Sequence, residues 1–130
     1  MKIMTLTLSP AWDITYRVTD LMGEGLHRAI SHSGKAGGKG VNVSRAIVRA
    51  GGECVTAAYL CGGTGQRIAA ALQEEGISVY GISGEGDTRT NISVIAQDGK
   101  SMAINAPFIT ILYSTSLTSA TKITRVRYFL

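Results

Sequence analysis

No stretch of this 130-residue sequence reaches the roughly eighteen uninterrupted apolar residues that a membrane-spanning helix needs. Met1-Lys2 leads into a short alternating run that lacks a signal-peptide cleavage pattern, so a cytoplasmic protein without a membrane partner is the default expectation. Cysteine is scarce. Cys54 and Cys61 lie seven apart in an alanine-rich stretch, a spacing that fits neither a zinc site nor a C-x-x-C redox pair, and reduced, packed thiols are expected. The two histidines, His27 and His32, have no carboxylate or cysteine at ligand spacing and read as surface side chains, so no metal site is expected. The chain also lacks a Lys/Arg tract with interleaved aromatics, and its net charge of +4 is modest, which argues against a nucleic-acid partner.

What is present in excess is glycine. Its sixteen residues cluster around 34–40, 62–65 and 81–86, between segments of ordinary globular composition, and mark built turns instead of disorder. The length suits one compact domain and leaves no room for two catalytic lobes. Ile3 to Leu8 is β-rich, alternates, and stops at Ser9-Pro10, which predicts a first strand. Ile14 to Val18 and Ala29 to Ser33 alternate more weakly, as strands with one wet face do, and read as a small sheet apart from the main one. From Gly40 the period becomes helical, with Val43, Ala46, Ile47 and Ala50 on one face and Gly51-Gly52 at the end. Val55 to Leu60, Gln66 to Glu75 and Ile77 to Ile82 then read strand, helix, strand, which implies a parallel sheet with crossover helices. Thr90 to Ala96 and Ser101 to Asn105 flank Asp98-Gly99 as a hairpin.

The most informative stretch for chemistry is Lys35-Ala36-Gly37-Gly38-Lys39-Gly40-Val41-Asn42, a glycine loop running into a helix. Bare backbone and unpaired helix-start N–H groups suit an anion or polar sugar, and Lys39 adds a full charge; the competing reading is a tight strand-to-helix turn. It is not a Walker A motif, because Gly40 follows Lys39 where Ser or Thr is needed. Gly62-Gly63-Thr64-Gly65 lacks the third glycine of a dinucleotide fingerprint and reads as a βα turn. Asp13 either presents a carboxylate to hydroxyls or caps a turn. Arg89, at the start of a predicted strand, either grips a phosphate in a forked pair or is a solvated strand-end charge. Arg28 is more ambiguous, while Arg17, Arg45 and Arg49 read as solvated.

Taken together, Thr5-Leu6-Thr7-Leu8-Ser9-Pro10 with Asp13, then Gly37-Gly38-Lys39-Gly40-Val41-Asn42-Val43-Ser44-Arg45-Ala46, Gly62-Gly63-Thr64-Gly65 and Asp87-Thr88-Arg89-Thr90-Asn91 resemble the amino-terminal signature of the PfkB/ribokinase family of carbohydrate kinases, closest to its 1-phosphofructokinase branch. The resemblance covers residues 1–107. It implies an α/β, Rossmann-like (ribokinase-like) parallel sheet with flanking helices and a small β lid, truncated, with a sugar held between lid and core. It also implies ATP and Mg2+ as cofactors, bound largely by a carboxy-terminal half, and a phosphorylated ketohexose as substrate. Fructose 1-phosphate leads, with tagatose 6-phosphate and fructose 6-phosphate as alternatives. On the matching positions, Asp13, Gly37, Gly38 and Asn42 would contact the sugar, Lys39 and Arg89 its phosphate, and Arg28 would be a further phosphate partner. In relatives the lid strands also pair subunits, so a homodimer through them is implied.

Three departures stand out. Ser9 replaces a usual Asn, Trp12 is bulky where a smaller residue is common, and Phe108 follows Pro107 where Gly is expected. The later Gly-Ala-Gly-Asp motif, which carries the family's base, is absent, so no catalytic residue is assigned and the chain alone is expected to be inactive. From Phe108 to Leu130 the sequence is an acid-free Ser/Thr/Ile tract without periodicity, expected to be a divergent tail from a shifted frame or junction. The alternative function is a non-catalytic sugar-phosphate-binding or dimerising fragment; a dinucleotide-binding domain is the weakest reading.

Overall fold

The computed structural model describes residues 2–21 and 24–107; the tail, and the reading of it as foreign sequence, lie outside them. Among the described residues, seven strands and two helices run β1 (Lys2–Thr7), β2 (Ala11–Val18), β3 (Ala29–Gly37), α1 (Lys39–Arg49), β4 (Glu53–Tyr59), α2 (Gly62–Glu74), β5 (Ser78–Ile82), β6 (Thr90–Ala96) and β7 (Ser101–Asn105). They build two sheets. The first is wholly parallel, in the order β1-β4-β5; the second has the order β3-β2-β6-β7, with β2 parallel to β6 and antiparallel to β3. This is the expected α/β core with a separate β layer.

Both helices cover one face of the parallel sheet. The register aligns Thr5 with Thr56 and Thr56 with Val79, and this face meets α1 and α2. The core cluster joins Val41 of α1, Ile68 and Leu72 of α2 and Ile77 to Trp12 and Ala36 from the second sheet, so the two layers share one apolar centre. The opposite face carries Met4, Leu6, Tyr80 and Ile82, all exposed.

The face that α1 buries differs from expectation. Val41 and Ser44 are buried, whereas Val43 is 52% exposed and Ala46 and Ala50 are exposed too. The cause is a polar knot that hydropathy does not reveal. Ser44 Oγ lies 2.6 Å from Thr5 Oγ1, accepts from the Thr56 hydroxyl and the Cys54 thiol, and donates to the Gly40 carbonyl at 3.1 Å. Each of these hydroxyls is satisfied inside the fold, which is the condition for burying it cheaply. Cys54 and Cys61 are free and buried, as expected.

Strand β3 runs four residues beyond its predicted end, to Gly37. Small residues are required there because the strand lies under large side chains of β2: a Cβ on Gly34 would stand 2.6 Å from Trp12 Nε1. Trp12 turns into the core, away from Asp13, and Arg67 lies over its ring at 4.2 Å from the centroid. The bulk of Trp12 therefore does not press on Asp13. Helix α2 begins at Gly62, four residues earlier than predicted, for a reason given by its partner Asp87 below.

Candidate functional site

Asp13 sits near the start of β2, half-buried, where three strands place polar residues beside it. The register aligns Lys35 of β3 with Asp13, Asp13 with Asn91 of β6, and Asn91 with Asn105 of β7. Partners in register share a face of the sheet, so these four form one polar rung. Asn91 Nδ2 donates to Asp13 Oδ1 at 2.8 Å. The other carboxylate oxygen lies against Gly37, where a Cβ would stand only 1.9 Å from Oδ2. Only a bare backbone admits the carboxylate at that position.

Immediately after it the chain turns into α1. Gly38 is the N-cap residue, with φ 133° and ψ 147°, a region that side-chain-bearing residues rarely adopt, and no side chain caps the helix. The first-turn N–H groups and the positive end of the helix dipole are thus left without a side-chain cap. Lys39, the first residue of α1, is exposed at this end. Asn42 is one turn further on. Its Oδ1 accepts from Arg45 Nη1 at 2.9 Å, which leaves Nδ2 as the amide's outward donor.

Arg45 is not the solvated charge that the sequence suggested. Its Nε and Nη2 grip both oxygens of Glu75, with Nη2 to Oε1 at 2.8 Å, and Nη2 also donates to the Ala36 carbonyl at 3.0 Å. One guanidinium therefore ties the end of α2, the glycine strand and Asn42 together. The hydrogen bond from Arg45, followed by its charge, holds the Glu75 carboxyl below its ordinary value, and the same pair raises Arg45. Arg17 and Arg49 are exposed, as expected.

Arg89 precedes β6 on the same alternation as Asn91, and its carbonyl accepts from Trp12 N at 2.9 Å. Nη1 donates to the Ala106 carbonyl at 3.2 Å and Nη2 to that of Ser9 at 3.4 Å, so the guanidinium is braced between two backbone segments beside Asp13. What fixes this segment is the turn at 61–64. Thr88 N donates to the Cys61 carbonyl, Cys61 N to Thr88 Oγ1 at 2.8 Å, and Asp87 accepts from Thr64 N at 3.0 Å and Thr64 Oγ1 at 2.7 Å. Asp87 thereby caps α2 from across the chain, which permits the helix to start on glycines. The Gly62–Gly65 segment, expected as a βα turn, is thus the first turn of α2 itself. The Thr64 bonds, side chain first, lower the Asp87 carboxyl below its usual range.

The structure brings Asp13, Gly37, Gly38, Lys39, Asn42 and Arg89 to one end of the molecule. Arg28 is not among them. It precedes Ala29, at the far end of β3 from Gly37, and the eight steps between those two strand ends already span about 26 Å. Sequence reading missed Arg45 and gave Asn91 no role. The three-residue spacing of Asn42 and Arg45 on a helix was the available signal for the first, and the shared alternation of Arg89 and Asn91 for the second.

Among the described residues no three His, Cys, Asp or Glu side chains gather as a metal-ligand set, and no helix is long and apolar enough to cross a membrane.

Residues 7–117 match the pfkB family of carbohydrate kinases. The chain belongs to that family. It is 38% identical over 104 residues to 1-phosphofructokinase of Borreliella burgdorferi, covering 80% of this chain and 34% of the relative. It is 34% identical over 108 residues to the 1-phosphofructokinase of Xanthomonas campestris, covering 82% of this chain and again 34% of the relative. Among solved structures, phosphofructokinase-2 from Escherichia coli in complex with fructose-6-phosphate superposes with a TM-score of 0.77 at 30% identity, covering 82% of this chain and 36% of that one. The pfkB chain thus spans about a third of the length of these relatives.

Proposed function

We propose that this chain is the sugar-binding, amino-terminal portion of an ATP-dependent kinase acting on a ketohexose phosphate. The leading reaction is phosphorylation of fructose 1-phosphate to fructose 1,6-bisphosphate; tagatose 6-phosphate and fructose 6-phosphate are the alternative substrates. The observation that carries this reading is the Asp13 carboxylate held against the Gly37 backbone beside the uncapped start of α1. A carboxylate next to open N–H groups is a hydroxyl acceptor next to an anion seat, which is what a sugar phosphate presents. Asp13 accepts hydrogen bonds from sugar hydroxyls, Asn42 donates through Nδ2, and Lys39 and Arg89 neutralise the existing phosphate.

Transfer of a γ-phosphoryl group also requires a base and charge stabilisation around the nucleotide. Neither is among the residues assigned here. ATP supplies the phosphoryl group, and its site with Mg2+ is assigned to the part of the kinase that this chain does not span. The β3-β2-β6-β7 sheet is the lid. Its non-sugar face bears Ile30, Tyr16, Val94, Met102 and Ile104, with Ile30, Met102 and Ile104 half or more exposed, and this supports pairing of two lids in a homodimer. Calorimetric titration of the chain with fructose 1-phosphate, fructose 6-phosphate and unphosphorylated fructose tests the site. Binding of a sugar phosphate but not of fructose supports the reading, and equal or absent binding of all three refutes it.

A further inference from the structure

Asn42 is exposed at the open start of α1, and a free asparagine amide can turn either its oxygen or its NH2 outward. Here a neighbour makes the choice. Asn42 N donates to the Gly38 carbonyl at 2.9 Å, so the residue belongs to the first helical turn, and Arg45 stands three positions on, on the same side of the helix. A guanidinium only donates, so the 2.9 Å contact from Arg45 Nη1 turns Asn42 Oδ1 inward and leaves Nδ2 as the outward group.

Arg45 itself has little freedom to follow a ligand. Its side chain is 12% exposed; Nε and Nη2 hold the two oxygens of Glu75, the C-cap residue of α2, and Nη2 also donates to the carbonyl of the fully buried Ala36. Every nitrogen of the fork is thereby committed within the protein. A direct bond to a ligand would cost one of these contacts, so Arg45 is placed to orient and not to bind.

We infer that Arg45 is a positioning residue for sugar recognition that acts through Asn42, holding the amide with its NH2 toward the ligand so that Asn42 reads an acceptor oxygen of a ketose phosphate. Without Arg45 the exposed amide turns freely, and the ligand must order it on binding. Phosphate recognition by Lys39 and Arg89 does not pass through this pair.

This inference rests on the sugar-phosphate reading, and a double-mutant cycle separates the two. Wild type, Arg45→Met, Asn42→Ala and the double variant of the 130-residue chain are titrated calorimetrically with fructose 1-phosphate, at a temperature where circular dichroism shows all four folded. Arg45→Met is expected to weaken binding about three- to ten-fold, the range for ordering one side chain. Asn42→Ala is expected to weaken it about ten-fold. The double variant is expected to bind like Asn42→Ala alone, because Arg45 then has no amide to orient. Multiplied losses in the double variant would show that Arg45 acts by a general loosening of the fold, and they overturn the inference. So does wild-type affinity in either single variant, and each of these results leaves the sugar-phosphate site standing. No binding to the wild type overturns both. Should Arg45→Met fail to fold, Arg45→Lys carries the same cycle, since lysine keeps the charge beside Glu75 but has no second arm for Asn42.

Discussion

Truncating Arg45 to alanine removes a brace that ties three segments, and the loss follows from what each partner does afterwards. Ala36 is fully buried, so its carbonyl loses a donor that water does not readily replace, at a cost of about 1–3 kcal/mol. The Glu75 side chain is 33% exposed and rehydrates, so the ion pair adds only about 0.2–1 kcal/mol. Alanine suits a helix as well as arginine does, so α1 itself loses nothing. The expected destabilisation is about 2–3 kcal/mol. Urea unfolding followed by the fluorescence of Trp12, the single tryptophan, measures it against Glu75→Gln, which removes the charge pair and keeps the carbonyl bond. Glu75→Gln is expected to cost under about 1 kcal/mol. The pH dependence has a defined sign. Because the Glu75 carboxyl is depressed below its ordinary 4.5 in the fold, its contribution is present above that value and is lost as pH falls through the depressed one. The gap between wild type and Arg45→Ala therefore narrows below pH 4.5 and keeps the carbonyl share. Equal losses for the two variants, or a loss below about 0.5 kcal/mol for Arg45→Ala, would refute this division of labour.

Other expectations bear on the site directly. Gly37→Ala drives a Cβ into Asp13 Oδ2, and because that carboxylate is a movable side-chain end, sugar-phosphate affinity is expected to collapse while the thermal midpoint shifts by only a few degrees; a titration curve like that of wild type would contradict the geometry. Lys39→Ala and Arg89→Ala each remove a charge-assisted bond to phosphate, with an expected ten- to hundred-fold loss of affinity, roughly 1.5–3 kcal/mol. Unchanged binding in both would remove them from the phosphate site. The isolated chain is expected to show no ATP-dependent turnover of fructose 1-phosphate in a coupled ADP assay, and activity above background would mean that a base lies among residues given other roles here.

The order of elements was legible because alternation and helical period survive in the parts of the chain that face both water and core. Where the residues pack against one another on both sides, the signal failed. Strand β3 looks like a loop from Gly34 to Gly37 because the glycines needed to admit Trp12 and Asp13 are the residues that usually mark turns. The buried face of α1 was misplaced for the converse reason: Ser44 is fully buried, but a hydroxyl is scored as polar unless its partners Thr5 and Thr56 are known. Both partners come from strands far along the chain, and no local window contains them.

The site divides in the same way. Residues whose role is set by a local motif, such as Gly37, Gly38 and Asn42 at the start of α1, were read from the sequence and are found at one end of the fold. Arg28 had no such motif, and the lid places it at the opposite end of β3. The residues that orient the site were invisible because each acts across the chain: Arg45 on Glu75, Asp87 on Thr64, and Asn91 on Asp13, which is 78 residues away in sequence. Asp13 Oδ1 is held by Asn91 of the neighbouring strand β6, while Oδ2 lies against Gly37. The parallel pairing of β2 with β6 is what brings these two side chains together: shifting it by one residue would turn Asn91 to the opposite face and release Asp13.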